Sequence, residues 1–323
     1  MKFKKKAIIF ILFCLLIVSF ISILFLSSDK ERKIYDVAVI VRGRNSERWT
    51  IIKEGMEQAA SEMNVNISFI TLLEENNIKE QKELIEREVE NKVDAIVISP
   101  SDYLELTNII ESTNKKIPVV LFESNIQTQD EIPYISCDNE ELGKNLTEEV
   151  VKNGNLRSGI IILRSQVNVS SINERINGFI EELKLSKNTY EFLDLPKDEE
   201  EISLKINDII KNSSTNVLVT FEPNILEIVG KVKRNFNNSK KNKSKIEVYG
   251  SGSSNVIVSL IEENIINGIV MQNEVNLGYL SIKIAVDKIE KNKIDSSKIN
   301  STIINSRNMY SKENQRMLFP IVK

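Results

Sequence analysis

From Tyr35 onward the chain repeats one unit, a short apolar run followed by a longer amphipathic segment. A strand that feeds a helix and returns beside a parallel neighbour crosses over right-handedly, so this alternation confines the chain to a parallel-sheet α/β architecture. Strands are expected over 36–41, 66–72, 94–99, 118–122, 158–163, 190–193, 216–220, 245–249 and 267–271. Most are continuous Val/Ile runs, the pattern of strands covered on both faces. Helical spacing fills the intervals, as with Ile78, Ile85 and Val89 or Leu142, Leu146 and Val150. Charged runs such as 86–90 and 197–201 read as solvated helix faces or loops. A helix over 277–291 and an extended piece near 302–305 follow the last strand. The break between two sets of strands falls at 132–138, giving two lobes of comparable size.

Composition narrows the functions such a scaffold can serve. The 323 residues include no histidine, which removes the usual general base and the commonest metal ligand. An apolar fraction of 41% fills two cores and excludes a disordered or disulfide-dense chain. Cys14 lies in an apolar run and Cys137 has no His to activate it, so Cys137 is read as a small buried residue. No catalytic constellation, metal site or cofactor fingerprint is expected.

Residues 7–26 are apolar except for Ser19 and Ser22. A helix of about 20 residues reaches about 30 Å, the hydrocarbon core of a bilayer. Lys2, Lys4, Lys5 and Lys6 precede the run and Ser27, Ser28 and Asp29 follow it, so residues 1–6 are expected in the cytosol and the chain after a linker at 27–34 outside. The competing possibility is a cleaved signal peptide, whose apolar region is usually shorter and ends at a small-residue site. Beyond residue 34 there are 36 basic and 44 acidic residues, a net charge of −8. That argues against nucleic acid and against an anionic membrane surface as partners.

Ligands of open α/β sheets bind beyond the carboxyl ends of the strands. After the first strand comes Arg42-Gly43-Arg44-Asn45-Ser46-Glu47-Arg48-Trp49, which joins the one tryptophan to three guanidinium groups. Trp49 offers a flat apolar face to a sugar, with Arg42, Asn45 and Arg48 as donors; the alternative is a Trp packed at the helix start with solvated arginines. Tyr103 follows the third strand, and Glu123 and Ser124 follow the fourth, Glu123 as a hydroxyl acceptor. In the second half, Ser170 or Asn173 suits an N-cap, Arg175 lies in the helix they open, and Glu222 follows the strand ending at Thr220. Gly250-Ser251-Gly252-Ser253-Ser254-Asn255 reads as a permissive turn.

Several segments in order carry a family likeness: Asp94-Ala95-Ile96-Val97-Ile98-Ser99-Pro100, Ile117-Pro118-Val119-Val120, Tyr134-Ile135-Ser136-Cys137-Asp138-Asn139-Glu140 with Gly143, Arg175-Ile176-Asn177-Gly178-Phe179, and Gln272 with Gly278-Tyr279. In these the chain resembles the type I periplasmic-binding-protein family, the sugar-binding proteins that also supply the effector domain of lactose-repressor-like regulators. The resemblance implies two Rossmann-like lobes joined by three crossovers near Cys137, Gln272 and Asn305, with residues 35–137 plus 273–304 in one lobe and 138–272 plus 305–323 in the other. It also implies ligand contacts at Trp49, Glu123, Arg175, Glu222 and Gln272, and Glu47-Arg48-Trp49 is similar to the triplet of xylose-binding members. The family's usual Asn-Asp after the seventh strand is Phe221-Glu222 here, and its acidic residue after Gly250 is replaced by Ser251-Gly252. A membrane span stands where the regulators carry a helix-turn-helix, so DNA binding is not expected.

The function expected is a membrane-anchored extracytoplasmic receptor that closes on a small polar ligand, a monosaccharide first of all, in a groove with room for it. Its closed form would be presented to a membrane partner, either an ABC permease or a sensor histidine kinase. An anchor without a lipidation motif favours the kinase. The alternative from another class is an anchored carbohydrate-active enzyme on a similar scaffold.

Overall fold

The computed structural model describes residues 16–17, 33–212, 215–239, 243–294 and 299–319. The expected membrane span at 7–26 lies outside the described residues apart from Leu16 and Ile17. Among the described residues no helix is long and apolar enough to cross a membrane.

Two sheets carry the fold. The first holds β1 (Tyr35–Ile40), β2 (Val65–Ile70), β3 (Ala95–Ile98), β4 (Val119–Phe122) and β5 (Tyr134–Ile135) in the order β2-β1-β3-β4-β5. The second holds β6 (Gly159–Arg164), β7 (Thr189–Asp194), β8 (Val217–Thr220), β9 (Glu247–Ser251), β10 (Gly268–Gln272) and β11 (Ser301–Ile304) in the order β11-β10-β9-β8-β6-β7. Every residue of β3, β4 and β8 is buried, as befits strands with helices on both faces. The edge strand β7 is largely exposed. Each lobe has its own apolar core, one around Ala38, Ile40, Ile96, Ile98 and Leu121, the other around Leu163, Leu218, Val248 and Ile269.

The helices that flank the passage between lobes are α1 (Glu47–Met63) and α9 (Glu274–Ile289) in the first, and α4 (Asn139–Lys152) and α5 (Ser170–Ser186) in the second. The others are α2 (Ile78–Glu90), α3 (Thr107–Asn114), α6 (Glu199–Asn212), α7 (Pro223–Ser239), α8 (Asn255–Glu262) and α10 (Lys312–Leu318). Both flanking pairs are built alike. A Cβ on Gly143 would stand 2.0 Å from the Arg175 carbonyl oxygen, and one on Gly178 would stand 2.0 Å from that of Glu140. In the first lobe the same relation joins Gly55 to Val275 and Gly278 to Ile52. Backbone lies on backbone at each crossing, with no space for even a methyl group.

The chain passes between lobes after β5 and again after β10. The third passage differs from expectation. Residues 301–304 do not belong with the first lobe: β11 pairs antiparallel with β10, with Ile304 opposite Ile269 and Ser301 opposite Gln272. The returning segment satisfies the outer edge of β10, whose amides and carbonyls would otherwise lack partners. The passage therefore lies near Ile299, which bridges Cys137, and Asn300, whose carbonyl accepts from Asn273 N at 2.9 Å, rather than at Asn305.

Two predictions follow from packing. Gly178→Ala should lower stability to denaturant by about 3 kcal/mol, because the clash is with backbone that cannot yield. The buried Lys233 Nζ donates to the Ile265 carbonyl at 2.6 Å, and burial pulls its pKa down to about 8, Glu247 opposing. Between pH 8 and its unfolded value near 10.5 the unfolded chain binds the extra proton, so stability rises with pH across that interval. Melting temperatures from pH 8 to 9.5 should climb, and less steeply in Lys233→Met.

Candidate functional site

The carboxyl ends of β1, β3 and β4 face those of β8, β9 and β10 across the passage between lobes. Glu123, directly after β4, is at the centre. Its φ of 64° puts a non-glycine residue in the left-handed region, a conformation that the surroundings must hold in place. Arg42 grips the carboxylate with both arms, Nε to Oε2 at 3.0 Å and Nη2 to Oε1 at 3.1 Å. Arg48 Nη2 adds a contact at 3.4 Å, and hydroxyls of Ser99 (3.0 Å), Ser124 (2.7 Å) and Ser171 (3.3 Å) complete the shell. Burial alone would push this carboxyl up, but the two guanidiniums hold it well below the usual range.

Arg48 is pinned from the other side by Glu274, the first residue of α9, whose Oε1 accepts from Nε at 2.9 Å. Burial works against the guanidinium charge, yet Glu274 and Glu123 hold its pKa above the ordinary value. For Glu274 burial prevails and its carboxyl is pushed up, with Arg48 pulling the other way. The Arg48 guanidinium lies 4.8 Å from the centroid of the Trp49 ring, which meets Phe122 edge-on at 6.2 Å. Trp49 is only 4% exposed. Its ring is covered by its own neighbour in sequence.

The second lobe supplies Arg175, whose Nε donates to Asn139 Oδ1 at 2.9 Å and Nη1 to Ser251 Oγ at 3.0 Å. Around it Phe221, Pro223, Gly252 and Met271 form an apolar wall. The cavity left between the two walls has a volume of about 10 Å³, space for one water molecule. The expected groove with room for a monosaccharide is thus filled in this closed arrangement by the arginines and carboxylates of the first lobe. Four buried polar atoms bordering it have no hydrogen-bond partner among the described residues: Arg175 Nη2, Gln272 Nε2 and Oε1, and Glu274 Oε2.

Direct bonds hold the lobes shut on both flanks. Ser170 Oγ accepts from Asn125 N at 2.6 Å, Ser171 Oγ shares a hydrogen bond with Ser124 Oγ at 2.7 Å, and Tyr103 N donates to the Asn168 carbonyl at 2.7 Å. Opposite them, Glu47 Oε2 accepts from Asn255 N at 2.8 Å.

Of the residues singled out in the sequence, Arg42, Arg48, Glu123, Arg175 and Gln272 border one cavity. Trp49 lies under Arg48, and Ser124 supports Glu123. Three stand apart from the cavity lining: Asn45 is exposed in its turn, Tyr103 contributes backbone bonds, and Glu222 is turned to Ser165, whose N and Oγ it accepts at 2.8 and 2.5 Å. Ser170 is no N-cap, since Val169 holds that position and the hydroxyl is spent across the lobes. Cys137 is buried with its pKa raised by burial, a thiol rather than a nucleophile. The main residue that sequence reasoning missed is Glu274. An acid in the first turn of a helix ordinarily signals no more than dipole compensation.

Residues 37–293 match the sequence model of the periplasmic binding protein domain. The chain belongs to that family. No curated protein matches it in sequence. Among solved structures, a carbohydrate transporter solute-binding protein from Agrobacterium radiobacter, in complex with D-arabinose, superposes with a TM-score of 0.81 at 18% identity over 88% of this chain and 99% of that one. An ABC transporter solute-binding protein from Agrobacterium vitis with bound D-fucose gives 0.81 at 19% identity, covering 88% and 100%. The XylFII–LytSN complex gives 0.74 at 21% identity, covering 85% and 99%. At these identities the likeness establishes the periplasmic-binding-protein fold. The family is one of binding proteins, and the two Agrobacterium proteins are solute-binding proteins, which speaks against the carbohydrate-active alternative. The chemistry agrees: a Glu123 saturated with donors and held ionised has no proton to give and no lone pair free to take one.

Glu123→Ala should strand Arg42 and Arg48 in the interior and cost about 3–5 kcal/mol. Because the folded carboxyl is more acidic than the unfolded one, its contribution is full above pH ~4.5 and drains away as pH falls below it. Denaturant titrations of the wild type at pH 7, 4.5 and 3 check the slope, which Glu123→Ala should flatten.

Proposed function

We propose that this protein is a membrane-anchored extracytoplasmic receptor for a small polar solute, a monosaccharide above all, which closes on its ligand and presents the closed form to a membrane partner. The observation that carries this is the set of unpaired buried polar atoms contributed from both sides of the passage, at the strand ends where α/β sheets bind ligands. Membership of the periplasmic binding protein family supports it, as do the D-arabinose and D-fucose bound by proteins of the same fold.

A sugar is far larger than the present cavity. Entry requires the lobes to part about the three passages, near Cys137, Gln272 and Ile299, and the Arg48 guanidinium to shift on Trp49. The contacts broken include the polar pairs Glu47–Asn255 and Ser124–Ser171, and opening bares the apolar wall of Phe221, Pro223 and Met271 to the guest. The partner that reads the two states is a sensor histidine kinase or an ABC sugar permease. The XylFII–LytSN complex, a two-protein assembly on this fold, supports a receptor read by a second protein. The apolar run at 7–26 and its lysine flank support anchoring in the cell membrane as a single-pass protein with its bulk outside.

A thermal-shift screen of monosaccharides tests the proposal, since ligand at 100 times Kd stabilises by about 2.7 kcal/mol. The sugar that raises the melting temperature should change Trp49 fluorescence as Arg48 moves on the ring. Trp49→Ala, which removes the ring on which Arg48 rests, should then weaken binding by about 0.5–2 kcal/mol through the displaced guanidinium rather than through a lost contact to the sugar. A melting temperature indifferent to every aldose and ketose in the screen refutes the sugar.

A further inference from the structure

Arg48 occupies only one oxygen of Glu274. Oε1 accepts from Arg48 Nε at 2.9 Å, while Oε2, on a side chain that lines the cavity, is buried and has no partner among the described residues. The residue is 5% exposed, so water does not satisfy it from outside. Nor does its own helix. The N-cap of α9 is Asn273, whose Oδ1 accepts from Asn276 N at 2.9 Å, and the Glu274 carboxylate turns instead toward α1 and the cavity. Native interiors pair such groups or put them to use.

We propose that Glu274 is a ligand-recognition residue and sets which solutes the cleft accepts, Oε2 taking a hydrogen bond from a hydroxyl of the guest while Oε1 keeps Arg48 over Trp49. This rests on the receptor reading and adds to it the chemistry of the guest. A carboxylate ion-paired with Arg48 accepts only, so the group facing Oε2 must donate; Arg175 Nη2 donates only, so the group facing it must accept. The Gln272 amide offers one of each. A neutral polyol with neighbouring hydroxyls answers all four atoms, because each hydroxyl can turn to either role. A ligand with its own carboxylate suits Arg175 Nη2 but cannot donate to Glu274 Oε2, and an apolar one leaves all four atoms unpaired.

The test uses the full chain in detergent, titrated calorimetrically with D-arabinose, D-xylose, D-ribose, D-fucose and D-galactose. The tightest of these is then compared with its monodeoxy analogues on wild type, Glu274→Gln and Glu274→Ala. Expected are a discrimination of at least tenfold against one deoxy analogue in the wild type, its collapse to near unity in Glu274→Ala, and an intermediate value in Glu274→Gln, which keeps an acceptor but not the charge. A merely structural role would lower affinity for parent and analogue alike and leave their ratio intact, and that result overturns the assignment. Should Glu274→Ala fail to fold, Glu274→Gln decides by the same ratio. If sugars bind wild type and both variants equally, this inference alone falls; if no sugar binds the wild type, the sugar-receptor reading falls and takes it along.

Discussion

The structure turns on one buried carboxylate. Glu123 sits at a strand end in a left-handed backbone conformation, withdrawn from water, and neither feature is favourable by itself. Two guanidiniums and three hydroxyls make both tenable. Their demands then spread outward: Arg42 ties the end of β1 to that of β4, Arg48 brings in Glu274 and with it the start of α9, and Ser171 draws the second lobe against the first. The passage between lobes is thus organised around charge, while each lobe interior is organised around Val and Ile.

The two walls of the passage are chemically unlike. The first lobe brings two arginines and two carboxylates, nearly all paired; the second brings Phe221, Pro223 and Met271 around Arg175 and Gln272. On the proposed function, a guest would compete with pairs that already exist on one side and fill unmet valences on the other. Selectivity would then follow from the geometry of donors and acceptors more than from stacking, since the indole ring is held under a guanidinium.

Much of the scaffold was legible in the sequence, because a parallel strand covered on both faces leaves a continuous apolar run that few other structures produce. The segments 94–99 and 118–122 show it, and β3 and β4 fall inside them. The strand-end rule likewise brought out Arg42 and Glu123, and the family resemblance brought out Gln272. What it could not show is where a side chain turns. Glu222 follows its strand as Glu123 does, yet bends to Ser165, and Trp49 looks available until Arg48 is seen lying on it. Ser171 and Glu274 gave no local signal, since a hydroxyl or an acid in a first helical turn has an ordinary explanation within the helix. The place of 301–304 was hidden for a related reason. An extended segment declares its conformation but not which sheet edge receives it.

The twin glycine crossings bear on how the molecule assembles. In the second lobe the partners α4 and α5 are successive helices, so their interlock forms as soon as that stretch of chain exists. In the first lobe α1 must await α9, which emerges only after nearly the whole of the second lobe. Closing so long a loop is slow and entropically costly. The part of the chain made first is therefore completed late, and until then it shows a helix notched at Gly55 and a half-built nest of arginines to whatever chaperone attends its birth.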